Sequence, residues 1–405
     1  MKRSVLLLLV IALILSACGS SELQKKTPGE FDYDKTLSFI QKNQKKESPE
    51  LYLACEQILP LTIEGLKLDD YRRVMAVYKQ NPDLFSLTMT LGFLAEGKIA
   101  DPVLEDSVFA AVGRAHGLAL SEDFALSAQD YYKERGFTEE ELRDRVTAYR
   151  AMIGDEYAQL LIRRQRLGEA LAVYESIMGN YRDTELLLNY AGALNNMNRY
   201  EASLIACIEA LKMTPGSLDA RERITDTAEL LGYSRAEIAT MIDETVFLGR
   251  NLLRQDLLAD ELDIPMPAFE IEGLDGSLIR SEDFRDKILI VSFFATWCGP
   301  CRRELPHLNE TYKYYLRDDD VRIIAVSTDS DTFLVPPFVQ ENGYDFPVYY
   351  AGGLNREFGV KGIPTLFVID RNGIIRYKKV GYSEGEEFEK IMSWYIDEIR
   401  AAEEI

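Results

Sequence analysis

The sequence predicts two folded parts, an all-α helical-repeat domain over residues 50–257 and an α/β domain over residues 258–405. Three observations predict it. Between Leu51 and Leu258 apolar residues recur at helical spacing among charges, and breakers are confined to short stretches such as "QNPDLF", "IADPVL" and "MTPGS". At "ELDIPMPAFEIEGLDG", Pro265 and Pro267 end that pattern and apolar residues begin to alternate. Beyond this point apolar runs and amphipathic stretches take turns, which is the pattern of a mixed sheet flanked by helices. A chain of 405 residues has room for two or three domains, and 47% apolar residues suffice for their cores.

The N-terminus speaks to compartment. "MKRSVLLLLVIALILSACGSS" opens with Lys2 and Arg3, runs apolar from Val5 to Leu15, and ends in small residues. Residues 1–17 read as a secretory signal, with an apolar run shorter than the roughly 20 residues a bilayer-spanning helix needs. "LSAC" resembles the lipobox of bacterial lipoproteins, which implies that Cys18 becomes the acylated mature N-terminus. More than one acyl chain makes a stable anchor. The resemblance places the chain in the bacterial cell envelope, anchored in a membrane and facing the periplasm or the exterior. Gly19 rather than Asp after the cysteine favours sorting to an outer membrane, and the choice of membrane stays open. Residues 18–49 are polar and lysine-rich, a tether with one short helix expected around Tyr33 to Lys42. The net charge of −21 argues against nucleic acid as a partner.

Within the helical part a repeat is visible. "EYAQLLIRRQRLGEALAVYESIM" and "NYAGALNNMNRYEASLIACIEAL" superpose with an offset of 33. Ala158 falls on Ala191, Leu161 on Leu194, Leu167 on Tyr200, Ala170 on Ser203, Leu171 on Leu204 and Tyr174 on Cys207. Small residues where helices cross, large ones between them and Pro215 at the exit resemble the tetratricopeptide repeat, which implies a surface for a protein partner. Degenerate pairs are expected in "DDYRRVMAVYKQNPDLF" and "DARERITDTAELLGYSRAEIATMIDE". A generic antiparallel helical array has the same architecture.

In the second part the expected order is a strand Ile288–Ala295, a helix from Cys298 to Leu316, a strand Val321–Ser327 and a helix near Phe333–Asn342. A strand Thr365–Asp370, a turn at Arg371-Asn372-Gly373, a strand Ile374–Val380 and a helix from Glu386 to Arg400 follow. Between the first strand and its helix stands "FFATWCGPCRRELPHL". Three readings compete for Cys298 and Cys301. Zinc needs four ligands, and this part of the chain offers no other cysteine and one histidine, His307, so no metal is assigned. A structural staple suits an oxidising compartment but closes too short a loop to constrain much chain. Redox chemistry needs a thiolate at a helix N-terminus with a second thiol in reach, which the order strand, "ATW", CxxC, helix supplies. Cys298 is then the nucleophile and Cys301, one turn on, the resolving thiol. No cofactor is required.

"WCGPC", Pro306 five residues after the second cysteine and "GIPT" at Gly362–Thr365 before a strand resemble the thioredoxin superfamily. "FFATWCGPCRRELPHL" and the insert between Val321–Ser327 and "GIPT" resemble its TlpA/ResA branch of extracytoplasmic thiol-disulfide oxidoreductases, over about Leu262 to Ile405. The peroxiredoxin pattern PxxxTxxC does not fit "SFFATWC". The resemblance implies a thioredoxin-like fold, a cis Ile363–Pro364 bond that sets Pro364 against the cysteines, and a substrate contact surface of Trp297, Gly299, Pro300 and Ile363. It also implies a disulfide-containing protein substrate and an upstream thiol-disulfide electron donor. Six residues before Cys298, where thioredoxin carries a buried acid, stands Ser292. Glu304 matches a glutamate that the branch places near the thiols. Two readings of it stand, a proton shuttle and a solvated first-turn glutamate favoured by the helix dipole. His307 reads as a helix-surface residue. Cys55 and Cys207 sit on apolar helical faces; a buried thiol is the reading for Cys207, and pairing between the two stays open. The Gly-Pro dipeptide is that of thioredoxin, with potentials of about −270 mV rather than about −120 mV, and points to a reductase. The alternatives are a disulfide oxidase or isomerase, and an interaction scaffold whose redox domain regulates it.

Overall fold

The computed structural model of the chain describes residues 33–44, isolated positions between 51 and 77, residues 105–133 and residues 137–403. The signal segment 1–17, Cys18, most of the tether and most of "DDYRRVMAVYKQNPDLF" lie outside the described residues. Among those described, no helix is long and apolar enough to cross a membrane.

The first helices are α1 (Tyr33–Asn43), α2 (Glu105–Ala119), α3 (Glu122–Lys133), α4 (Glu139–Arg163), α5 (Leu167–Met178), α6 (Thr184–Asn196) and α7 (Tyr200–Met213). Local chemistry sets their limits. Thr138 and Glu141 form a reciprocal capping box at the start of α4, and the Asp183 carboxylate accepts from the Leu186 N–H at the start of α6. Gln165 (φ 59°) and Asn198 (φ 57°) turn the chain between α4 and α5 and between α6 and α7, 33 residues apart. At each turn the next N–H reaches back, Arg166 to the Leu161 carbonyl and Arg199 to that of Leu194. The aligned positions Ala158, Leu161, Ala170 and Tyr174 are buried, as are Ala191, Leu194, Ser203 and Cys207. On α4 the Asp155 carboxylate accepts from the Tyr174 hydroxyl at 2.8 Å and from the Gln159 and Asn189 amides at 3.0 Å each. Burial nevertheless raises its pKa to about 6.

Two further helices, α8 (Leu218–Leu230) and α9 (Arg235–Ala259), precede the strands β1 (Ile264–Pro265), β2 (Glu270–Glu272), β3 (Leu278–Arg280) and β4 (Ile288–Phe294). Helix α10 (Gly299–Tyr315), β5 (Val321–Ser327), α11 (Val335–Asn342), β6 (Val348–Tyr350), α12 (Leu354–Glu357), β7 (Thr365–Ile369), β8 (Ile374–Val380) and α13 (Phe388–Glu403) complete the order. The main sheet runs β1-β8-β7-β4-β5-β6, with β4, β5 and β6 parallel and β7 and β8 antiparallel to their neighbours; β2 and β3 form a separate hairpin. Strand β4 is buried on both faces, so its pleat divides two cores. Ile288, Ile290 and Phe294 face α10 and α13, whereas Leu289, Val291 and Phe293 face Phe269, Phe358 and Phe367.

The described residues fall into two compact units divided between Ala206 and Cys207, within α7. The limits 50–257 and 258–405 follow the change from helices to strands. The packing division comes earlier because Leu253, Leu257 and Leu258 of α9 pack on the core of α10 and α13.

Candidate active site

The parallel strands β4 and β5 end at one edge of the sheet, with Phe294 opposite Ser327. Asp329, just past β5, locks the next turn: it accepts from the Thr296 N–H at 2.9 Å, the Thr296 hydroxyl at 2.7 Å and the Ser327 hydroxyl at 2.8 Å. Two residues later the chain enters α10. Cys298 is its N-cap, Gly299 and Pro300 begin the first turn, and the Cys301 N–H donates to Cys298 Sγ at 3.2 Å. Proline is tolerated there because first-turn N–H groups lack helical partners anyway. Further along, Pro306 removes a donor from the middle of the same helix.

Cys298 and Cys301 are joined by a disulfide. Cys298 keeps 5% of its surface exposed and Cys301 none. In this disulfide form both sulfurs are thus nearly shielded, Cys298 the less so of the two. The Ile363–Pro364 bond is cis, and the Ile363 carbonyl oxygen lies 3.6 Å from Cys298 Sγ. Trp297 and Ile363 are partly buried against the same core. The structure thus brings Trp297, Cys298, Gly299, Pro300, Cys301 and Ile363 together at the start of α10, with Pro364 following Ile363 through the cis bond. Cys55 and Cys207 are buried thiols.

Glu304 lies one turn after Cys301 and is only 1% exposed. The solvated reading of this residue does not fit that burial. Strand period explains its first partner: Ser292 shares a face with Ile290 and Phe294, so its hydroxyl points at α10 and donates to Glu304 Oε1 at 3.1 Å. Lys379 Nζ stands 3.8 Å from Glu304 Oε2, but 2.8 Å from Glu386 Oε1, and donates to the Gly381 carbonyl at 2.6 Å. Burial raises the Glu304 pKa to about 7; Lys379 opposes this, Glu386 adds to it, and the Ser292 hydrogen bond lowers it. A carboxyl with such a pKa is able to exchange a proton near neutral pH. His307 pairs with Glu389 at 2.8 Å and stacks on Tyr382 at the surface.

Lys379, Glu386 and Asp329 carry no motif in the sequence. For Lys379 a signal existed: in β8, Ile375 and Tyr377 are buried, and alternation carries position 379 to that same face. Glu386 and Asp329 stand in loops, where no periodicity points.

Comparison with known proteins adds to this geometry. The family model described as Redoxin matches residues 262–392. The chain is 34% identical over 128 residues to a thiol-disulfide oxidoreductase ResA from Bacillus thuringiensis, covering 31% of this chain and 73% of that protein. A ResA from Halalkalibacterium halodurans is 29% identical over 180 residues, 43% of this chain and 98% of that one. Among solved structures, a thiol:disulfide interchange protein of the thioredoxin family from Chlorobium tepidum is 30% identical over 33% of this chain and 95% of its own, with a TM-score of 0.30.

Proposed function

The chain belongs to the ResA family of thiol-disulfide oxidoreductases, and from that premise we propose that it is an envelope-anchored reductase of protein disulfides. The observation that carries the reading is the Cys298–Cys301 disulfide at the start of α10, with Glu304 buried one turn beyond it.

In the reduced enzyme the Cys298 thiolate, favoured by the N–H groups and dipole of α10, attacks one sulfur of a substrate disulfide. An intermolecular disulfide forms, and the other substrate sulfur leaves as a thiolate that takes up a proton. The Cys301 thiol passes its proton to the Glu304 carboxylate and attacks Cys298 Sγ. The mixed bond breaks, the second substrate sulfur leaves and is protonated, and the Cys298–Cys301 disulfide remains. Two electrons have moved to the substrate. A donor dithiol returns the enzyme to its reduced state by the reverse exchange. Trp297, Gly299, Pro300, Ile363 and Pro364 border the docked substrate. The Ile363 carbonyl beside Cys298 is an acceptor for its backbone, and proline at 364 presents no N–H against it.

The remaining parts follow the sequence reading. Residues 1–17 direct export, Cys18 carries the lipid and residues 18–49 tether the body. The helical part is tetratricopeptide-like and takes a protein partner. The turns at Gln165 and Asn198, 33 residues apart, support that reading, as do the buried pairs aligned at the same offset.

Substrate trapping tests the redox assignment. Cys301→Ser is expected to accumulate mixed disulfides through Cys298, and Cys298→Ser to be inactive and trap almost nothing. Trapping by Cys298→Ser instead would reverse the roles of the two sulfurs.

A further inference from the structure

The β8–α13 loop, residues 381–387, is gripped by the helical hairpin α8–α9. On α9 the Arg250 guanidinium holds the Glu387 carboxylate with a two-point fork, Nε to Oε2 at 2.7 Å and Nη2 to Oε1 at 2.5 Å. Arg250 also holds Glu387 below the usual glutamate pKa, which keeps the pair charged. Just before α8, Gly216 approaches so closely that a Cβ there would collide with the Gly385 carbonyl oxygen. Gly385 itself has φ +83°, and a Cβ on it would meet the Ser217 backbone at 3.0 Å.

This loop carries Glu386, which pairs with Lys379, which in turn faces Glu304. We propose that Lys379 and Glu386 are positioning residues for Glu304, and that α8–α9, through Arg250–Glu387 and Gly216–Gly385, holds them in register and so sets the pH at which the dithiol reacts. The proposal rests on the proton-handling role of Glu304 given above.

Two carboxylates compete for one cation. Glu386 holds the Lys379 ammonium at 2.8 Å, leaving Glu304 its more distant neighbour at 3.8 Å. While that holds, Glu304 feels burial more than attraction. If the loop loosens, Glu386 withdraws, Lys379 turns to Glu304 and water enters; both changes favour the carboxylate. Removal of Lys379 leaves burial and the Glu386 charge, which act together against it. The two perturbations therefore have opposite signs. The groups facing Glu304 are Ser292 from β4, Lys379 from β8 and Glu386 from the loop. Tyr382 senses Glu304 together with Glu384, Glu386 and Glu389. On α10 itself, Cys301 lies one turn before Glu304, and His307 one turn after it is engaged by Glu389.

The test is the rate of iodoacetamide alkylation of Cys298 in the reduced full chain, followed against pH by mass spectrometry. The wild-type profile is expected to show an inflection at about 7 from Glu304. Arg250→Gln and Glu386→Gln should move it acidward by roughly half to one pH unit, and Lys379→Met alkaline by about one. Arg250→Lys, which keeps the charge without the fork, should restore part of the shift. Arg254→Gln removes a different pair between α9 and α13, Arg254–Glu398 at 3.8 Å, and should leave the profile in place. If Glu304→Gln abolishes the inflection while Arg250→Gln, Glu386→Gln and Lys379→Met match the wild type, the positioning proposal fails and the Glu304 role survives. If Glu304→Gln leaves the profile unchanged, that role fails and the proposal falls with it. Thermal melts of each variant separate loss of fold from a shifted profile.

Discussion

Two buried carboxylates, one in each unit, resemble each other until their partners are compared. Asp155 in the helical unit and Glu304 beside the disulfide both have pKa values raised by burial, to about 6 and about 7. Asp155 is saturated by neutral donors from three helices: Gln159 on its own, Tyr174 on α5 and Asn189 on α6. Glu304 has one hydroxyl and a cation shared with another carboxylate. Neutral donors tie three helices together at Asp155, whereas Glu304 shares its cation with a second carboxylate, so its charge depends on where that cation stands. The shift alone does not mark a reactive acid, and the two sets of partners predict different roles.

The largest expected effect tests that distinction in activity. Glu304→Gln should slow disulfide reduction by about 10²-fold near neutral pH, the scale of a lost proton acceptor. Asp155→Asn should leave the rate within a factor of about two, since it acts on fold alone. Equal losses in a stopped-flow exchange assay would erase the comparison.

Stability should respond the other way. Asp155→Ala leaves Tyr174, Gln159 and Asn189 without their acceptor and should cost about 1–3 kcal/mol in denaturant unfolding. The more conservative Asp155→Asn, which retains an acceptor oxygen, should cost less.

The smallest effect is in the pH dependence of that stability. Asp155 binds its proton more tightly folded, at about 6, than at its ordinary value of 3.8. Its favourable contribution is therefore complete below about pH 4 and is lost as pH rises towards 6 and beyond. The full shift corresponds to about 2–3 kcal/mol as an upper scale. Asp155→Asn should flatten this decline. A decline that persists unchanged in the variant would assign it to another group.

The same contrast governs how much could be read from sequence. The long elements β4, α10, β5, β7 and β8 fell within a residue or two of expectation, because a buried run or a sustained period covers each of them. The three-residue strands β2, β3 and β6 and the short helix α12 did not emerge, since so few residues hold no period. The chemistry divided likewise. Cys298, Cys301 and Pro364 announce themselves by residue type and spacing. For Lys379 alternation in β8 gives the face but not the partner, and Glu386 is an ordinary loop charge whose meaning comes from standing beside Lys379 and Glu304 in the folded chain. The attachment of α8 and α9 to the sheet unit was also hidden. It rests on Leu253, Leu257 and Leu258 reaching the core of α10 and α13, and on Arg250 meeting Glu387, 137 positions later in the chain.

Ser292 occupies the strand position where thioredoxin keeps its acid, and the acid here rides on α10 instead. This changes the mechanics of the site. Cys301 and Glu304 are neighbours on a single rigid rod, their Cβ atoms about 5–6 Å apart by helix geometry alone. Sliding or tilting of α10 against the sheet cannot change that interval. It does change the distance from Glu304 to Ser292 on β4 and to Lys379 on β8, both of which belong to the sheet. The spacing of Glu304 from Cys301 is thus constant, while its distance from the Lys379 charge would vary with the seating of one helix. A docking substrate that presses on the start of α10 would adjust acidity without disturbing alignment.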